Sequence, residues 1–432
     1  MKQAFRAPIY HCLADPGEAG DAGATQYFDD GLLVVDDGII VAIGDAANLV
    51  IEYADVPLEA FPDQLIVPGL IDCHVHFPQV DIIASYGERL LDWLDRYAYP
   101  CEMRYGDAAY ANAAAGFFLD ELLRNGTTTA AVFATVHPQS ADAIFSAADA
   151  RNMRLIAGKV LMDINCPGEL QDTPTSAYED SKQLIERWHG KGRLGYAITP
   201  RFAITSSEQQ LAAAGRLASE YPDTWVHTHL AENQAEIDEV AGQYSWSSSY
   251  LNVYDHFGLL RERSVFAHCL HLDDEDRALM SEKGGAAAFC PSSNLFLGSG
   301  LYDLRKMGDA NLRTGLASDV GGGTSLSMLR TMGEAYKVLQ LQQQNLPAAR
   351  ALYLATLGAA AALRIEDKIG NLLPGKEADF ILLNAKGSGM SARRLAGTQT
   401  PEELLFALMM LGDDRHIAAT FVNGQRVSFT QS

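Results

Sequence analysis

Between residues 66 and 365 one pattern recurs eight times, a short apolar run followed by a helical stretch, and this repetition limits the folds open to the chain more than any other feature. The runs lie at 70–76, 128–134, 155–162, 195–199, 225–230, 264–268, 286–290 and 315–318. Each spans four to eight residues, the length of a strand, and is apolar without strict alternation, which is how a parallel strand buried on both faces reads. The stretch 108–125 shows the pattern between strands: Phe117, Leu119, Leu122 and Leu123 are apolar, and Gly126 stands where a helix would stop. Eight βα units predict an α/β fold, a closed (β/α)8 TIM-like barrel with its functional side chains at the C-terminal ends of the strands. A doubly wound open sheet would need a glycine-rich phosphate turn after an early strand. The glycines here, at 321–323, follow the last one.

Outside the repeat the texture changes. Residues 31–44 read as two β-rich runs around Asp37-Gly38, a hairpin, and near the other end 378–384 and 418–427 read as strands with an Asn423-Gly424 turn. The two ends predict one small β-sandwich domain, 1–65 together with 370–432, with a catalytic barrel, 66–369, inserted between them. At 432 residues, 48% hydrophobic and 20% charged, the chain has material for a large core and reads as ordered. Lys and Arg number 33 against 55 Asp and Glu, and the resulting net charge of −22 repels nucleic-acid polymers and anionic membranes. A small neutral or cationic molecule is the expected partner. Six cysteines lie far apart with no C-x-x-C pair, which predicts neither disulfides nor a thiolate metal site and fits a reducing cytoplasm. The acidic first thirty residues argue against a signal peptide, and no run reaches the roughly 18 to 20 apolar residues that span a bilayer.

Side chains at i and i+2 of a strand share a face, so His74 and His76, at the end of the first barrel strand, both point into the barrel mouth and form a metal clamp. The fifth strand ends His227-Thr-His229-Leu-Ala-Glu232, where His227 and His229 share a face. Glu232, three residues beyond, favours His229 as the ligand and leaves His227 one layer deeper. Strand six ends on His268 and strand eight runs into Asp319. The expected metal set is His74, His76, His229 and Asp319 with a position left for water. Three imidazoles and a carboxylate suit Zn2+, and iron accepts similar ligands. A bound metal lowers the pKa of water from about 15.7 toward 7. Glu232, His268 and Asp319 are the expected catalytic residues, Glu232 carrying the proton and the other two orienting the attacking water. A second metal in such barrels calls for a carboxylated lysine at the end of strand four, but Leu194 to Phe202 contains none. Lys159 lies on strand three and reads as structural, so one metal per chain is expected.

Taken together, Pro68-Gly-Leu-Ile-Asp-Cys-His74-Val-His76, His229-Leu-Ala-Glu232 and Ser318-Asp319 resemble the motifs of the amidohydrolase superfamily. Segments 90–100, 125–130, 133–135, 199–202, 291–294 and 319–325 are similar to the barrel-type guanine deaminases within it, and the resemblance covers nearly the whole chain. The loop Phe77-Pro-Gln79-Val departs from the family in the pair before Gln79. The resemblance implies purine-binding side chains at Gln79, Arg201, Phe202 and His268, and a homodimer. It also implies hydrolysis of guanine to xanthine and ammonia in purine catabolism, by attack at C2 with Glu232 protonating N3. A related deaminase acting on a thio- or homocysteinyl-adenosine, an oxidised guanine or cytosine would share the metal site and differ in the pocket. An inactive scaffold would lack a ligand or the acid, and none is missing here. Residues 87–105 leave from the catalytic face, and Leu90, Leu94 and Tyr97 at helical spacing suggest a short amphipathic helix able to act as a lid.

Overall fold

The computed structural model describes residues 1–86 and 89–429. The chain opens with strands β1 (Lys2–Cys12), β2 (Thr25–Asp36), β3 (Ile39–Asp45), β4 (Leu58–Ala60) and β5 (Gln64–Pro68). The repeat follows as β6 (Leu70–His76), β7 (Thr127–Phe133), β8 (Arg154–Gly158), β9 (Val160–Leu161), β10 (Leu194–Pro200), β11 (Trp225–Leu230), β12 (Ser264–His268), β13 (Ala286–Phe289) and β14 (Arg313–Leu316). β15 (Phe380–Asn384), β16 (Ile417–Val422) and β17 (Gln425–Arg426) complete the strands.

The repeat forms the expected barrel sheet, in the order β6-β7-β8-β10-β11-β12-β13-β14, with β9 also against β10. Its ladders from β8 to β14 are parallel. The seam between the first and last strands is tied just beyond β14: Asp319 N donates to His74 O at 2.9 Å and His76 N to Val320 O at 2.8 Å. The same backbone that closes the circle therefore sets the histidine pair against Asp319.

The run expected as one strand at 155–162 is broken at Lys159 into β8 and β9. The register is unchanged across the break, with Ala157 paired to Tyr196 and Val160 to Thr199. Gly158 lies so close to β10 that a Cβ there would sit 1.7 Å from Ala197 O, and Lys159 N turns to the Tyr196 hydroxyl at 3.3 Å instead of continuing the ladder. Helix Ala108–Arg124 ends as expected before Gly126, whose φ of +80° suits a helix terminus. Its inward face carries Phe118 with Leu119, Leu122 and Leu123, while Phe117 is exposed. That is the stripe a 3.6-residue period demands.

By contacts the chain divides into two compact units. One comprises Met1–Asp72, Asp120–Thr129 and Ser327–Ser432, the other Cys73–Leu119 and Ala130–Leu326. In the first, the terminal strands make a single sheet in the order β17-β16-β15-β5-β1-β2-β3, with β4 on β1. Asp37-Gly38 and Asn423-Gly424 are its hairpin turns, all four residues at positive φ, which is the geometry that matches strand twist. The sandwich expected from the sequence is this one sheet curled on itself. Phe5 of β1 and Phe421 of β16 are three ladder steps apart, about 14 Å in a flat sheet, yet their rings lie 5.1 Å apart. Phe380 of β15 stacks on Phe421 at 4.3 Å and completes the core between the curled edges.

Candidate active site

Three strand ends of the second unit deliver four side chains to one point. His74 and His76 come from β6, His229 from β11, and Asp319 from just past β14; each offers a ligand atom, and the four atoms lie within 4.8 Å of one another. The His76 Nε2 is 3.1 Å from His74 Nε2 and 3.2 Å from His229 Nε2. Asp319 Oδ1 lies 3.2 Å from His74 Nε2 and 3.4 Å from His76 Nε2. Burial holds His74 down at about 4 and lowers His76 and His229 as well, so all three rings are neutral bases. Although burial alone would raise the Asp319 carboxyl, its hydrogen bonds with His74 and His76 hold it well below the usual range.

Two of the three rings, those of His229 and His74, are aimed by their other nitrogens. His229 Nδ1 donates to Arg201 O at 2.6 Å, which leaves the Nε2 lone pair facing the cluster. His74 Nδ1 lies 2.8 Å from His227 Nε2, so His227 sits behind the cluster as a partner of a cluster residue and outside the four. Three imidazoles and a carboxylate converging in a buried pocket are the donor set of a divalent metal, and the residues fit one. Lys159 pairs with Asp172 and the Val160 carbonyl, away from these ligands.

Beside the cluster stand Glu232 and His268, 3.4 Å apart between Oε2 and Nε2, with His268 Nε2 3.7 Å from Asp319 Oδ2. His268 and Asp319 both sit in left-handed backbone, φ +74° and +48°, and Ala231 before Glu232 is at +49°. Such conformations cost about 1–2 kcal/mol for a side-chain-bearing residue and cluster where function needs a side chain re-aimed. Burial raises the Glu232 carboxyl, against the pull of His268. For His268 burial works the other way, yet Glu232 and Asp319 outweigh it and the imidazole is raised. A carboxyl raised toward neutrality beside a partner base is the property of a proton carrier.

A cavity opens onto this group, lined among others by Gln79, Trp93, Arg201, Phe202, Glu232 and His268. His76, Gln79, Arg201, Phe202, His229, Glu232, His268 and Asp319 thus line one pocket, and His74 lies against His76 and Asp319 without lining it. Leu90, Trp93 and Leu94, from the helical run 90–103, cover it. Of the segment read as a lid, Gly87 and Glu88 lie outside the described residues.

Three partners were not legible in the sequence. Ser299 donates to Glu232 Oε1 at 2.8 Å. Asn294 Oδ1 meets His268 Nδ1 at 2.8 Å and sets the ring's orientation. Its only signal was membership of the Pro291-Ser-Ser-Asn294 motif, which carried no role. Glu102 is fully buried and bonds both Gln79 and Arg201; the sequence placed it only in an amphipathic helix.

The barrel and the histidine–aspartate cluster at its strand ends define a metal-dependent barrel hydrolase. The chain matches the amidohydrolase family over residues 65–427. It is 50% identical over 407 residues to the guanine deaminase of Escherichia coli strain K12, covering 94% of this chain and 93% of that one. The solved E. coli guanine deaminase superposes with a TM-score of 0.96 at 47% identity, over 99% of both chains. A guanine deaminase from C. acetobutylicum with guanine bound in its active site superposes at 0.92 with 28% identity, over 99% of this chain and 100% of that one. The chain belongs to the amidohydrolase family, in its guanine deaminase branch.

Proposed function

We propose that the chain hydrolyses guanine to xanthine and ammonia, with one Zn2+ held by His74, His76, His229 and Asp319. The observation that carries the reading is the pairing, in one cavity, of a metal donor set with a buried Glu232 and two polar side chains, Gln79 and Arg201, able to read a purine edge. When bound, the metal supplies a water acidic enough to act as a nucleophile near neutral pH. Glu232 stands where it would take a proton from the attacking water and pass it to N3 of guanine as C2 becomes tetrahedral. The same carboxylate then takes the proton of the new C2 hydroxyl and delivers it to the amino group, which leaves as ammonia while the hydroxyl becomes the C2 carbonyl of xanthine. Ser299 and His268 hold the Glu232 oxygens in place for both transfers, and His268 with Asp319 fixes the direction of attack. Arg201 and Gln79 hold the far edge of the base, its O6 and ring nitrogens, while Phe202 and Trp93 supply apolar cover.

Residues 66–369 act as the catalytic barrel in this reading, and 1–65 with 370–432 as the β domain. None of the six cysteines is in a disulfide, which supports a cytoplasmic setting. The homodimer rests on the resemblance to related enzymes and is checked by sedimentation. Conversion of guanine to xanthine, followed by absorbance on metal-loaded protein, is the direct test. Glu232→Gln should keep its metal and bind guanine while turnover falls by about 10²–10⁴-fold. Near wild-type turnover in that variant would sink the assignment.

A further inference from the structure

Gln79 and Arg201 come from the ends of different strands, yet one carboxylate holds both. Glu102 lies on helix Tyr99–Met103 and is 0% exposed. Its Oε1 accepts from Gln79 Nε2 at 2.8 Å, and Arg201 Nη1 donates to both of its oxygens, at 2.9 and 2.7 Å. Gln79 is pinned at its other end, where Oε1 accepts from Gly321 N at 3.1 Å. An amide with a carboxylate on one side and an N–H on the other has one orientation open to it. Arg201 is held from a second side by Tyr99, whose ring centroid is 5.3 Å from the guanidinium carbon. Tyr99 and Glu102 stand three residues apart, on one face of the same helix. Only Nη1 of Arg201 is spent on Glu102, so the rest of the guanidinium fork remains for a ligand.

We propose that Glu102 is a specificity-determining positioning residue: by orienting Gln79 and cancelling the charge of Arg201, it makes the pocket select a neutral purine over an anionic one. This rests on the reading that Gln79 and Arg201 hold guanine. A buried guanidinium without a partner is costly and draws in any anion that fits. Paired with Glu102, it offers hydrogen bonds without net charge. The distinction matters for this reaction because substrate and product differ in acidity. Hydrolysis replaces the amino group at C2 by a carbonyl, so xanthine carries an N–H flanked by two carbonyls and gives up a proton more readily than guanine. Glu102 thereby disfavours retention of the product anion, while Arg201 still donates to a neutral base.

The test compares Glu102→Gln and Glu102→Asp with Gln79→Ala and Arg201→Met, each metal-loaded, by steady-state kinetics with guanine and by xanthine inhibition from neutral to mildly alkaline pH. For Glu102→Gln the expected result is a KM for guanine raised about ten-fold or more, the loss of one hydrogen bond to a charged group. Its kcat should stay within about three-fold, and xanthine inhibition should tighten as pH rises. Glu102→Asp keeps the charge and loses reach, so KM should rise while xanthine inhibition keeps the wild-type pH dependence. Should Glu102→Gln not yield folded protein, Glu102→Asp decides, and a wild-type KM there overturns the proposal. Unchanged KM and xanthine inhibition in Glu102→Gln, alongside raised KM in Gln79→Ala and Arg201→Met, also overturn it. So does a fall in kcat and metal content with KM unmoved, the signature of a merely structural carboxylate. If Gln79→Ala and Arg201→Met both leave KM unmoved, the pocket reading itself fails, and the role of Glu102 with it.

Discussion

At the scale of single residues, the site depends on which nitrogen of each imidazole faces the cluster. That choice is made by partners outside the four ligand positions: the Arg201 carbonyl for His229 and the His227 ring for His74. Replacing His227 by Phe keeps the bulk and removes the bond that orients His74. The expected outcome is a metal affinity lower by about 10–100-fold with the fold retained, measured by competition with a chelator. Wild-type affinity in His227→Phe would mean that packing alone orients His74. A second histidine acts on stability. His11 of β1 is buried, with Gln26 Oε1 3.0 Å from its Nε2 and the Leu372 amide donating to its Nδ1 at 3.3 Å, an arrangement that uses the neutral ring. Burial, aided by the nearby Lys376 charge and opposed by Gln26, lowers its pKa to about 4. The folded value is below the unfolded value of about 6.5, so this contribution is fully present above about pH 6.5 and is lost as pH falls toward 4. About 3 kcal/mol is at stake. Denaturant unfolding followed across that window should show a shallower pH dependence in His11→Gln than in wild type, and identical slopes would refute the assignment.

At the scale of elements, strand ends and turns carry different shares of legibility. The hairpins were readable because Asp37-Gly38 and Asn423-Gly424 meet a local requirement, positive φ, that few residue pairs satisfy. The eight apolar runs were readable because a strand buried on both faces has no polar positions to interrupt it. The break at Lys159 was not, because it arises from the approach of β10 to Gly158, a contact between segments some forty residues apart that leaves no periodic trace. Gly158→Ala would put a Cβ against the Ala197 carbonyl, where the neighbour is backbone and cannot swing away. A loss of at least about 3 kcal/mol is expected, read as a large drop in Tm or in soluble yield. By contrast, a Cβ at Gly190 meets nothing within 4 Å but sits at φ +76°, so Gly190→Ala should cost only about 1 kcal/mol. Equal stabilities of the two variants would show that the β8–β10 contact gives way.

At the scale of the whole molecule, the barrel is a device for bringing distant residues together, and a bound metal is expected to pay back part of the cost of crowding them. Without it, three neutral imidazoles and a carboxylate face one another in a buried pocket. Chelation should abolish turnover and lower Tm, and zinc should restore both, Tm continuing to rise with the logarithm of its excess over Kd; a Tm indifferent to metal would count against a metal linked to folding. The sequence by itself determined the architecture and the chemistry class. Periodicity, turn residues and the spacing of His74, His76, His229, Glu232 and Asp319 are local properties, and strand alternation translates them into direction. Only the tertiary structure decided how those groups are held. Glu102, Asn294 and Ser299 each lie on a segment distant in sequence from the residue they bond. Nothing in the local sequence marks a buried carboxylate whose partners are 23 and 99 residues away, because its burial and pairing exist only once the strand ends have met.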